Sequence, residues 1–511
     1  MEYAVQLKHV TKTFGKVVAN KDVSLDVRYG EILSLLGENG SGKTTLMNML
    51  SGIYYPDSGQ IFVEGKQVEI SAPKDAYALG IGMVHQHFKL VDVFTATENI
   101  ALGLDKKEKF DQKAVKAKAA AICEKYHFEL NLDQKVYEMS VSQKQTLEIV
   151  KVLYRGARIL ILDEPTAVLT PQETEKLFQV IRNMRRDGKS VIIITHKLHE
   201  VLEISDRVAI LRRGEYIGTV DTKDATESSL TEMMVGEKVE LNIDRTEPVN
   251  PKKRLSIQNL TVYSREGVKI LDDVSFDAFG GEILGIAGVS GNGQKELLEA
   301  IAGLQPAAKG SKVRFFGEDQ EKPVELLGKS PKQIRDAGIH LAFVPEDRLG
   351  MGLVGSMGMI ENMMLKSYEN GHSFLTDRKT PRELAEQIKE ELHVVTPSIQ
   401  TPVSRLSGGN VQKVLVGREI ASSPIVLMTA YAVRGLDINT SYTIYHLLGE
   451  QKEKGVAVIY VGEDLDVLLE LCDRILVLCG GKVNGIVDGR TTTKEDVGMR
   501  MTNLKKGATR Q

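Results

Sequence analysis

The sequence predicts an α/β fold in which one architecture occurs twice along the chain. Strand-like apolar runs alternate with helix-like segments, and the runs ILIL (159–162) and VIIIT (191–195) are apolar at nearly every position. Continuous apolar strands are typical of a mostly parallel sheet that is covered on both faces. The segment Gly30-Glu31-Ile32-Leu33 also recurs as Gly281-Glu282-Ile283-Leu284, and later landmarks recur at a fixed larger offset. The chain is therefore predicted to be an internal duplication with small insertions.

The composition indicates a folded protein with two large domains. At 511 residues the length alone suggests about three domains, but the repeat favours two. Hydrophobic residues make up 42% of the chain and charged residues 26%, so each half can bury a sizeable core. The net charge of −3 gives no electrostatic reason to expect nucleic acid or anionic lipid as a partner.

Cysteine usage and the length of the apolar runs further narrow the possible classes of protein. The three cysteines, Cys123, Cys472 and Cys479, show no metal-ligand spacing, which favours a reduced, cytosolic protein. No apolar stretch approaches ~18 residues, and the start MEYAVQLKHV does not have the pattern of a signal peptide. Any membrane role is therefore expected to come through a partner. Trp is absent and Phe and Tyr are few, which disfavours base stacking.

Each half is predicted to open with antiparallel strands and to continue with alternating strands and helices. In the first half, apolar residues alternate with polar ones over 5–10 and again over 23–27. Residues 105–126 are rich in Lys, Ala and Glu, and they predict a helical insert before Ser140. Further helices are predicted at QTLEIVKVLY and from about Pro171.

Two polar segments set the predicted domain boundaries. Residues 239–254 are polar and contain two prolines, which is typical of a linker, and residues 502–511 are expected to form a loose tail. The predicted domains are therefore 1–238 and 255–501.

The most informative motif is GENGSGKTT at 37–45. Between a strand and a helix, it has the spacing of a phosphate-binding loop. Its glycines let successive N–H groups turn toward phosphate oxygens, and the helix N-terminus favours negative charge. Lys43 can reach the β- and γ-phosphates, and the Thr44 hydroxyl can ligate Mg²⁺. A glycine-rich turn with a chance lysine is the alternative. The predicted binding residues here are Gly37, Asn39, Gly40, Ser41, Gly42, Lys43, Thr44 and Thr45.

The second copy of this loop is broken. It reads GVSGNGQKE from Gly288, so Gln294 stands at the lysine position, Lys295 at the hydroxyl position and Glu296 after it. The two halves are therefore predicted to have diverged in chemistry.

A pair of carboxylates follows an apolar strand of the first half. In ILILDEPTA, Asp163 can hold Mg²⁺ through water, and Glu164 can polarise the water that attacks the γ-phosphate. A pair of acidic residues at the surface after a core strand is common by itself. The occurrence of this pair at this distance from GENGSGKTT favours a catalytic role.

Three further residues occur in the order that this chemistry needs. Gln86 follows the strand GIGMV and can reach Mg²⁺ and the attacking water. His196 follows VIIIT and can contact the γ-phosphate, and Phe14 precedes the second strand and could stack on adenine. Taken alone, a strand-end histidine is more often a satisfied surface or core group, and a lone Phe is more often core.

Two pairs of histidines could indicate a metal site, an interpretation that we disfavour. His85 and His87 flank Gln86, and His199 follows His196. No carboxylate or cysteine completes a transition-metal site around either pair.

These motifs together resemble the nucleotide-binding domain of ABC transporters. The resemblance rests on GENGSGKTT, Gln86, the region at Ser140, ILILDEPTA and His196, and LSGGNVQK at 406–413 extends it over almost the whole chain. It implies two tandem domains, each with a P-loop core sheet, an antiparallel β subdomain and a helical subdomain. The degenerate second half is similar to the ATPase subunits of monosaccharide and nucleoside importers. GMVHQHFKLVDVFTATENIALG and DEPTAVLTPQE resemble the nucleoside branch, which works with basic-membrane-lipoprotein-type binding proteins.

Domains of this family close head to tail, so the resemblance implies two composite ATP sites. Site one would use Lys43, Gln86, Glu164 and His196 as catalytic residues. Its Mg²⁺ ligands would be Thr44, Gln86 and Asp163. Across the interface, the signature residues Ser407, Gly408 and Gly409 would present a hydroxyl and amides to the γ-phosphate, and Asp437 in RGLD would supply the facing loop's aspartate.

Site two would lack the groups that hydrolysis needs. Ala430 and Tyr431 replace the two carboxylates, Glu346 replaces Gln86, and Glu463 replaces His196. The first half's signature region also reads Met139-Ser140-Val141-Ser142-Gln143, without the family's two glycines. Because these groups act as a unit, we expect no hydrolysis there. The surviving loop amides, Lys295 and the Ser142 hydroxyl lead us to expect occupancy without turnover. Two other departures, Thr170 where the family has aspartate and Ala432 in place of Pro165, should not impair site one.

The resemblance implies a peripheral ATPase subunit that powers uptake of a nucleoside, with a simple sugar as the alternative. It would bind ATP and Mg²⁺ at the cytoplasmic face of the cell membrane. Its partners would be two permease subunits and, in the same system, an extracytoplasmic substrate-binding lipoprotein. No nucleic acid is expected, and membrane contact would come only through the permeases.

Two rivals belong to other classes. Soluble tandem ATPases that act on ribosomes carry a long charged helical linker and two intact sites, which this chain lacks. A regulatory pseudo-ATPase is disfavoured because site one is complete.

Overall fold

The computed structural model describes residues 2–15, 17–86, 88–102, 111–167, 169–236, 242–264, 266–289, 291–317, 322–368 and 376–502. Contacts within the chain divide it into two compact units, Met1–Glu240 and Leu241–Gln511. In both units the described residues form a four-stranded sheet and a six-stranded sheet.

The first unit begins with strands and then alternates strands and helices. In chain order its elements are β1 Tyr3–Phe14, β2 Val17–Arg28, β3 Ile32–Leu36, α1 Lys43–Leu50, β4 Ser58–Val63, β5 Lys66–Val68, α2 Pro73–Ala78, β6 Ile81–Val84, α3 Ala96–Ala101, α4 Gln112–Tyr126, α5 Val141–Tyr154, β7 Ile159–Asp163, α6 Pro171–Arg186, β8 Ser190–Thr195, α7 Leu198–Ile204, β9 Arg207–Arg212, β10 Glu215–Asp221 and α8 Glu227–Val235.

The two sheets of the first unit have different pairing. The four-stranded sheet has the order β2-β1-β4-β5 and is antiparallel throughout. The six-stranded sheet has the order β10-β9-β3-β8-β7-β6, and it is parallel except for the edge pair β9–β10. The predicted α/β class with a mostly parallel sheet is confirmed.

The parallel strands bring the functional positions to one edge. Every residue of β3, β7 and β8 is buried, as expected for strands that are covered on both faces. In the register, Asp163 at the end of β7 lies opposite Ile194 of β8, and Leu36 of β3 lies opposite Thr195. The phosphate loop, Glu164 and His196 therefore all leave the sheet at its carboxyl edge.

The helical insert packs as a separate layer of the first unit. Helices α3, α4 and α5 share a small core that includes Ile100, Ala119 and Leu147. The helix predicted from residue 105 begins at Gln112, where the Asp111 carboxylate accepts from the N–H groups of Lys113 and Ala114. Residues 103–110 lie outside the described residues.

The second unit repeats this order. Its elements are β11 Lys252–Tyr263, β12 Lys269–Gly280, β13 Ile283–Ala287, α9 Gln294–Ile301, β14 Lys312–Phe315, β15 Val324–Glu325, α10 Pro331–Asp336, β16 Leu341–Val344, α11 Met359–Met364, α12 Lys379–Glu391, α13 Gly408–Ala421, β17 Val426–Ala430, α14 Ile438–Glu453, β18 Ala457–Val461, α15 Leu465–Leu471, β19 Arg474–Cys479, β20 Lys482–Asp488 and α16 Lys494–Thr502. Its sheet orders, β12-β11-β14-β15 and β16-β17-β18-β13-β19-β20, match those of the first unit strand for strand.

The segment that we predicted to be a linker is in part attached to the second unit. The Arg245 guanidinium donates to the carbonyls of Leu469 and Cys472, at 2.8 and 2.7 Å, at the C-terminal end of α15. The Thr246 carbonyl accepts from Arg490 at 3.0 Å. Strand β11 begins at Lys252, and α16 extends to Thr502.

Two further properties of the described chain bear on function. All three cysteines are buried and free, and burial raises the pKa of each thiol. None of the helices described is both long enough and apolar enough to cross a bilayer.

Candidate nucleotide-binding and hydrolysis site

The phosphate loop of the first unit has a backbone that only glycine fits at two positions. A Cβ on Gly37 would lie 2.3 Å from the Leu211 carbonyl oxygen and 2.5 Å from the Ser41 hydroxyl. Gly42 has φ 97°, and a Cβ there would lie 2.3 Å from the Ala19 carbonyl oxygen. The loop therefore holds its turn through close backbone packing, as a phosphate cradle requires.

Lys43 is buried at the base of this loop. Its ammonium donates to the carbonyls of Gly37 at 2.6 Å and Glu38 at 2.8 Å. Burial lowers its pKa to about 8, although the nearby carboxylates of Glu164 and Asp163 act in the opposite direction. A cation that is so poorly solvated has much to gain from a phosphate ligand.

The Ser41 hydroxyl provides a second indication of a ligand. It is buried, and no described residue offers it a hydrogen-bond partner. Unpaired buried polar atoms are uncommon in folded proteins, and they often mark a place where a ligand or water binds.

Glu164 lies at the centre of the candidate catalytic edge. Its Oε2 accepts from Nε2 of Gln86 at 2.8 Å, and its Oε1 lies 3.0 Å from Nδ1 of His196. Burial acts to raise the pKa of this carboxyl, but the hydrogen bond and charge of His196 and the charges of Lys43 and Lys197 outweigh it and lower the pKa. The carboxylate is therefore ionised at neutral pH and fixed at both oxygens.

The residues predicted to ligate Mg²⁺ provide oxygen donors. Asp163 is 6% exposed at the end of β7, while Thr44 is exposed in the first turn of α1, and Gln86 is exposed after β6. A carboxylate, a hydroxyl and an amide oxygen suit a hard cation. Among the described residues, no three His, Cys, Asp or Glu side chains form a metal-binding group. His85 is half-buried, and His87 lies outside the described residues.

Phe14 forms an exposed aromatic pair with a residue that sequence reasoning missed. The ring centroids of Phe14 and Tyr54 lie 5.1 Å apart with an interplanar angle of 70°. Tyr54 follows α1, and its neighbour Tyr55 is also exposed. Adjacent tyrosines just after the phosphate-loop helix, in a chain with few aromatics, are the signal that could have identified this partner.

The predicted signature residues lie in the second unit, at the start of α13. Ser407 caps this helix, and its hydroxyl accepts from Nδ2 of Asn410 at 2.8 Å. Gly408 and Gly409 form the first turn, and a Cβ on Gly409 would lie 3.2 Å from Oδ2 of Asp437. In the first unit, Ser140 caps α5 in the same way, with Gln143 completing a capping box.

Thr170 and Asp437 have the same structural role, although their chemistry differs. Thr170 caps α6 and is 3% exposed, and its hydroxyl accepts from the Glu173 N–H at 3.4 Å. Asp437 caps α14, where its Oδ1 accepts from the Thr440 N–H at 2.8 Å. Threonine thus maintains the helix start without a carboxylate.

The chain is similar in sequence to known proteins over most of its length. The family described as ABC transporter matches residues 20–167 and 271–429. The chain is similar to the nucleoside import ATP-binding protein NupA of Lactococcus lactis subsp. cremoris, with 41% identity over 98% of both chains. It is 40% identical to the guanosine import ATP-binding protein NupO of Bacillus subtilis, again over 98% of both. A ribose import ATP-binding protein, RbsA 1 of Streptomyces avermitilis, is 37% identical over 96% of this chain and 92% of its own length.

Proposed function

This chain belongs to the ABC transporter family, and from that premise we propose that it powers the import of a nucleoside through separate permease subunits. It is an ATPase coupled to solute transport. The observation that carries the proposal is that both carboxylate oxygens of Glu164 have a partner, Gln86 on one and His196 on the other. Glu164 lies at the sheet edge that also bears Lys43.

The residues of this edge have different roles in hydrolysis. Lys43 and the loop amides bind the β- and γ-phosphates, and the glycines let the backbone approach them. Glu164, kept ionised, polarises the attacking water, while Gln86 and His196 hold its carboxylate in place. We propose that Thr44, Gln86 and Asp163 hold Mg²⁺. When bound, Mg²⁺ supplies charge neutralisation at the phosphate oxygens.

We propose that Phe14, with Tyr54 against its edge, stacks on the adenine base. Both rings are exposed and already oriented by their mutual contact, so little conformational freedom is lost on binding.

We further propose that Ser407, Gly408 and Gly409 complete this site in the closed state. The support is an asymmetry of sequence: the half with Lys43 and Glu164 has Val141 and Ser142 in its signature region, while the half with the broken loop keeps both glycines. An intact phosphate loop is of use only with an intact signature, so the two intact parts are expected to act together.

A nucleoside is the solute that we propose, with a monosaccharide as the alternative. Two relatives with 40–41% identity are described as nucleoside and guanosine import proteins, whereas a ribose import protein is 37% identical. The solute binds elsewhere in the system, so this chain's own residues carry no direct selectivity for it.

The partners are membrane permeases and a substrate-binding protein. We propose that the permeases are two, one for each unit, that the binding protein is a lipoprotein, and that this chain sits on the cytoplasmic face of the membrane. Because both units lie in one chain, a single copy should serve both permeases.

Purification of the assembled transporter tests this function. Native mass spectrometry is expected to show one copy of this chain with two permease subunits, and vesicles containing the complex should take up radiolabelled guanosine in an ATP-dependent way. Uptake of ribose and not of nucleosides would favour the sugar alternative. Co-purification with ribosomes in place of permeases would overturn the transport role.

A further inference from the structure

The second unit has an ion-pair network at the edge where the first unit has its catalytic residues. Glu346 and Glu463 stand at the positions of Gln86 and His196, and the Arg434 guanidinium lies between them. Arg434 Nη1 is 2.6 Å from Oε1 of Glu346, and its Nε is 3.2 Å from Oε1 of Glu463. The equivalent residue in the first unit, Ala167, provides no cation. The Arg434 guanidinium thus pairs with both carboxylates.

The second loop also satisfies its own polar groups. The Nε2 of Gln294 donates to the Val289 carbonyl at 3.2 Å, the contact that Lys43 makes with Glu38 in the first unit. Asn292 replaces Ser41: its Nδ2 donates to the Leu478 carbonyl at 3.4 Å, and its Oδ1 accepts from the Gly480 N–H at 3.1 Å. The position that is left unpaired in the first unit is therefore tied to β19 in the second.

The negative charge around the second loop opposes the binding of a polyphosphate. Glu296 follows Lys295 in the first turn of α9, and Glu299 lies one turn further, with its carboxylate 3.8 Å from the Lys295 ammonium. Burial raises the pKa of Glu299, the charge of Lys295 opposes this shift, and the negative charges of Glu296 and Glu346 add to it. With Glu463 there are four carboxylates at this edge, and the cations that pair with them in the described contacts are Lys295 and Arg434. Ala430 replaces the carboxylate that could hold Mg²⁺.

From this arrangement we infer that the second loop does not take a nucleotide, so that each chain binds one ATP, at the first loop. Glu346, Glu463 and Arg434 distinguish the surroundings of the second loop from those of the first, in addition to the changes at Asn292 and Gln294 within the loop. The sequence led us to expect occupancy without turnover because the loop glycines survive. Those glycines shape the backbone, but they do not offset the four carboxylates. The inference rests on the proposed function, since it assigns the single ATP to the loop of Lys43.

Binding stoichiometry of the full chain tests the inference. Equilibrium dialysis with the non-hydrolysable analogue adenylyl imidodiphosphate and Mg²⁺ is expected to give one equivalent per chain. Lys43→Ala should weaken that binding by about tenfold or more, because a charge-assisted contact is lost. The matched change Gln294→Ala should alter neither stoichiometry nor affinity, with thermal melting used to verify that both variants fold.

Each other outcome has a definite meaning. Two equivalents in the unmodified chain, or one equivalent that survives Lys43→Ala at unchanged affinity, would overturn the inference. No binding at all would overturn the proposed function and the inference with it. The double change Gln294→Lys and Lys295→Thr restores the loop lysine and hydroxyl but leaves the four carboxylates, so it should still give one equivalent. A second equivalent in that variant would show that the carboxylates are not the barrier.

Discussion

Glu164 and Tyr431 have the same backbone geometry. Their φ angles are 46° and 51°, and each N–H donates at 2.9 Å to a carbonyl of the neighbouring strand, Ile194 in one unit and Val461 in the other. A left-handed residue at this point turns the chain sharply after β7 and β17. The backbone at this position is thus the same in both units, and the two positions differ in their side chains. Substitutions here therefore test the chemistry separately from the fold.

Glu164→Gln should reduce Mg²⁺-dependent ATP hydrolysis by at least ~100-fold, on the scale of a lost general base. Glutamine keeps the size and can still hydrogen-bond, so ATP binding should persist. Phosphate release measures the rate, and Tyr431→Phe serves as the matched control with no expected loss. Turnover close to that of the unmodified chain would show that Glu164 is not the base.

Nucleotide affinity should fall as the pH rises above about 8, since that is where the buried ammonium of Lys43 loses its proton in the free protein. A bound polyphosphate favours the charged form, so binding above that pH takes up a proton, and the affinity drops by up to ~10-fold per pH unit. Below it, Lys43 contributes no pH dependence. Calorimetric titration between pH 7 and 9.5 checks this, and the residual binding of Lys43→Ala should lack the decline.

Gly37→Ala should abolish nucleotide binding, because the added methyl would lie 2.3 Å from the Leu211 carbonyl oxygen and force the loop to move. An overpacked site of this kind costs about 1–3 kcal/mol of stability. Gly40→Ala is the matched control: it has φ 81° with open space around it, so it should cost only about 1–2 kcal/mol of backbone strain. Equal effects of the two changes on ATP affinity would contradict the steric argument.

Phe14→Ala should weaken ATP binding by about 1–3 kcal/mol, the usual contribution of one base stacked on an aromatic ring. Tyr54→Ala should have a smaller effect in the same direction, because Tyr54 orients the Phe14 ring. Tyr263, exposed at the end of β11, provides an aromatic control in the second unit. Tyr263→Ala should leave the affinity unchanged, and a matching loss there would place the base elsewhere.

Gly409→Asp should disable hydrolysis, whereas Ser142→Asp should leave much of it in place. In the proposed closed state the new carboxylate at 409 faces the γ-phosphate of the intact loop, where screening is weak. If each unit worked alone, the order would reverse. Steady-state rates of the two variants decide between these cases. Because residue 409 also neighbours Asp437, unchanged melting of the Gly409→Asp variant is the required control.

The sequence was sufficient to predict where the candidate site residues that follow strands would lie. Gln86, Glu164 and His196 could each be placed because each comes directly after an apolar run, and parallel strands bring their carboxyl ends to one edge. The glycines of the loop were recognisable by their spacing. The replacement of Glu164 by Tyr431 was also readable, because the repeat keeps a constant offset there.

Contacts that depend on loop geometry were not predictable in this way. Tyr54 meets Phe14 only because the turn after α1 returns toward the end of β1. The pairing of Arg434 with Glu346 joins residues far apart in sequence, and no spacing signals it. Thr170 differed from the family's aspartate by type, and only the structure shows that it maintains the same helix start.

The burial of Cys123, Cys472 and Cys479 has a practical consequence. Thiolates react and thiols do not, and burial keeps these three protonated and shielded, so the folded chain should be nearly silent toward maleimides. A cysteine introduced on an exposed helix of each unit would then be the only fast-reacting pair. Fluorophores attached there would turn the distance between the units into an optical signal, which could be followed in real time during a catalytic cycle.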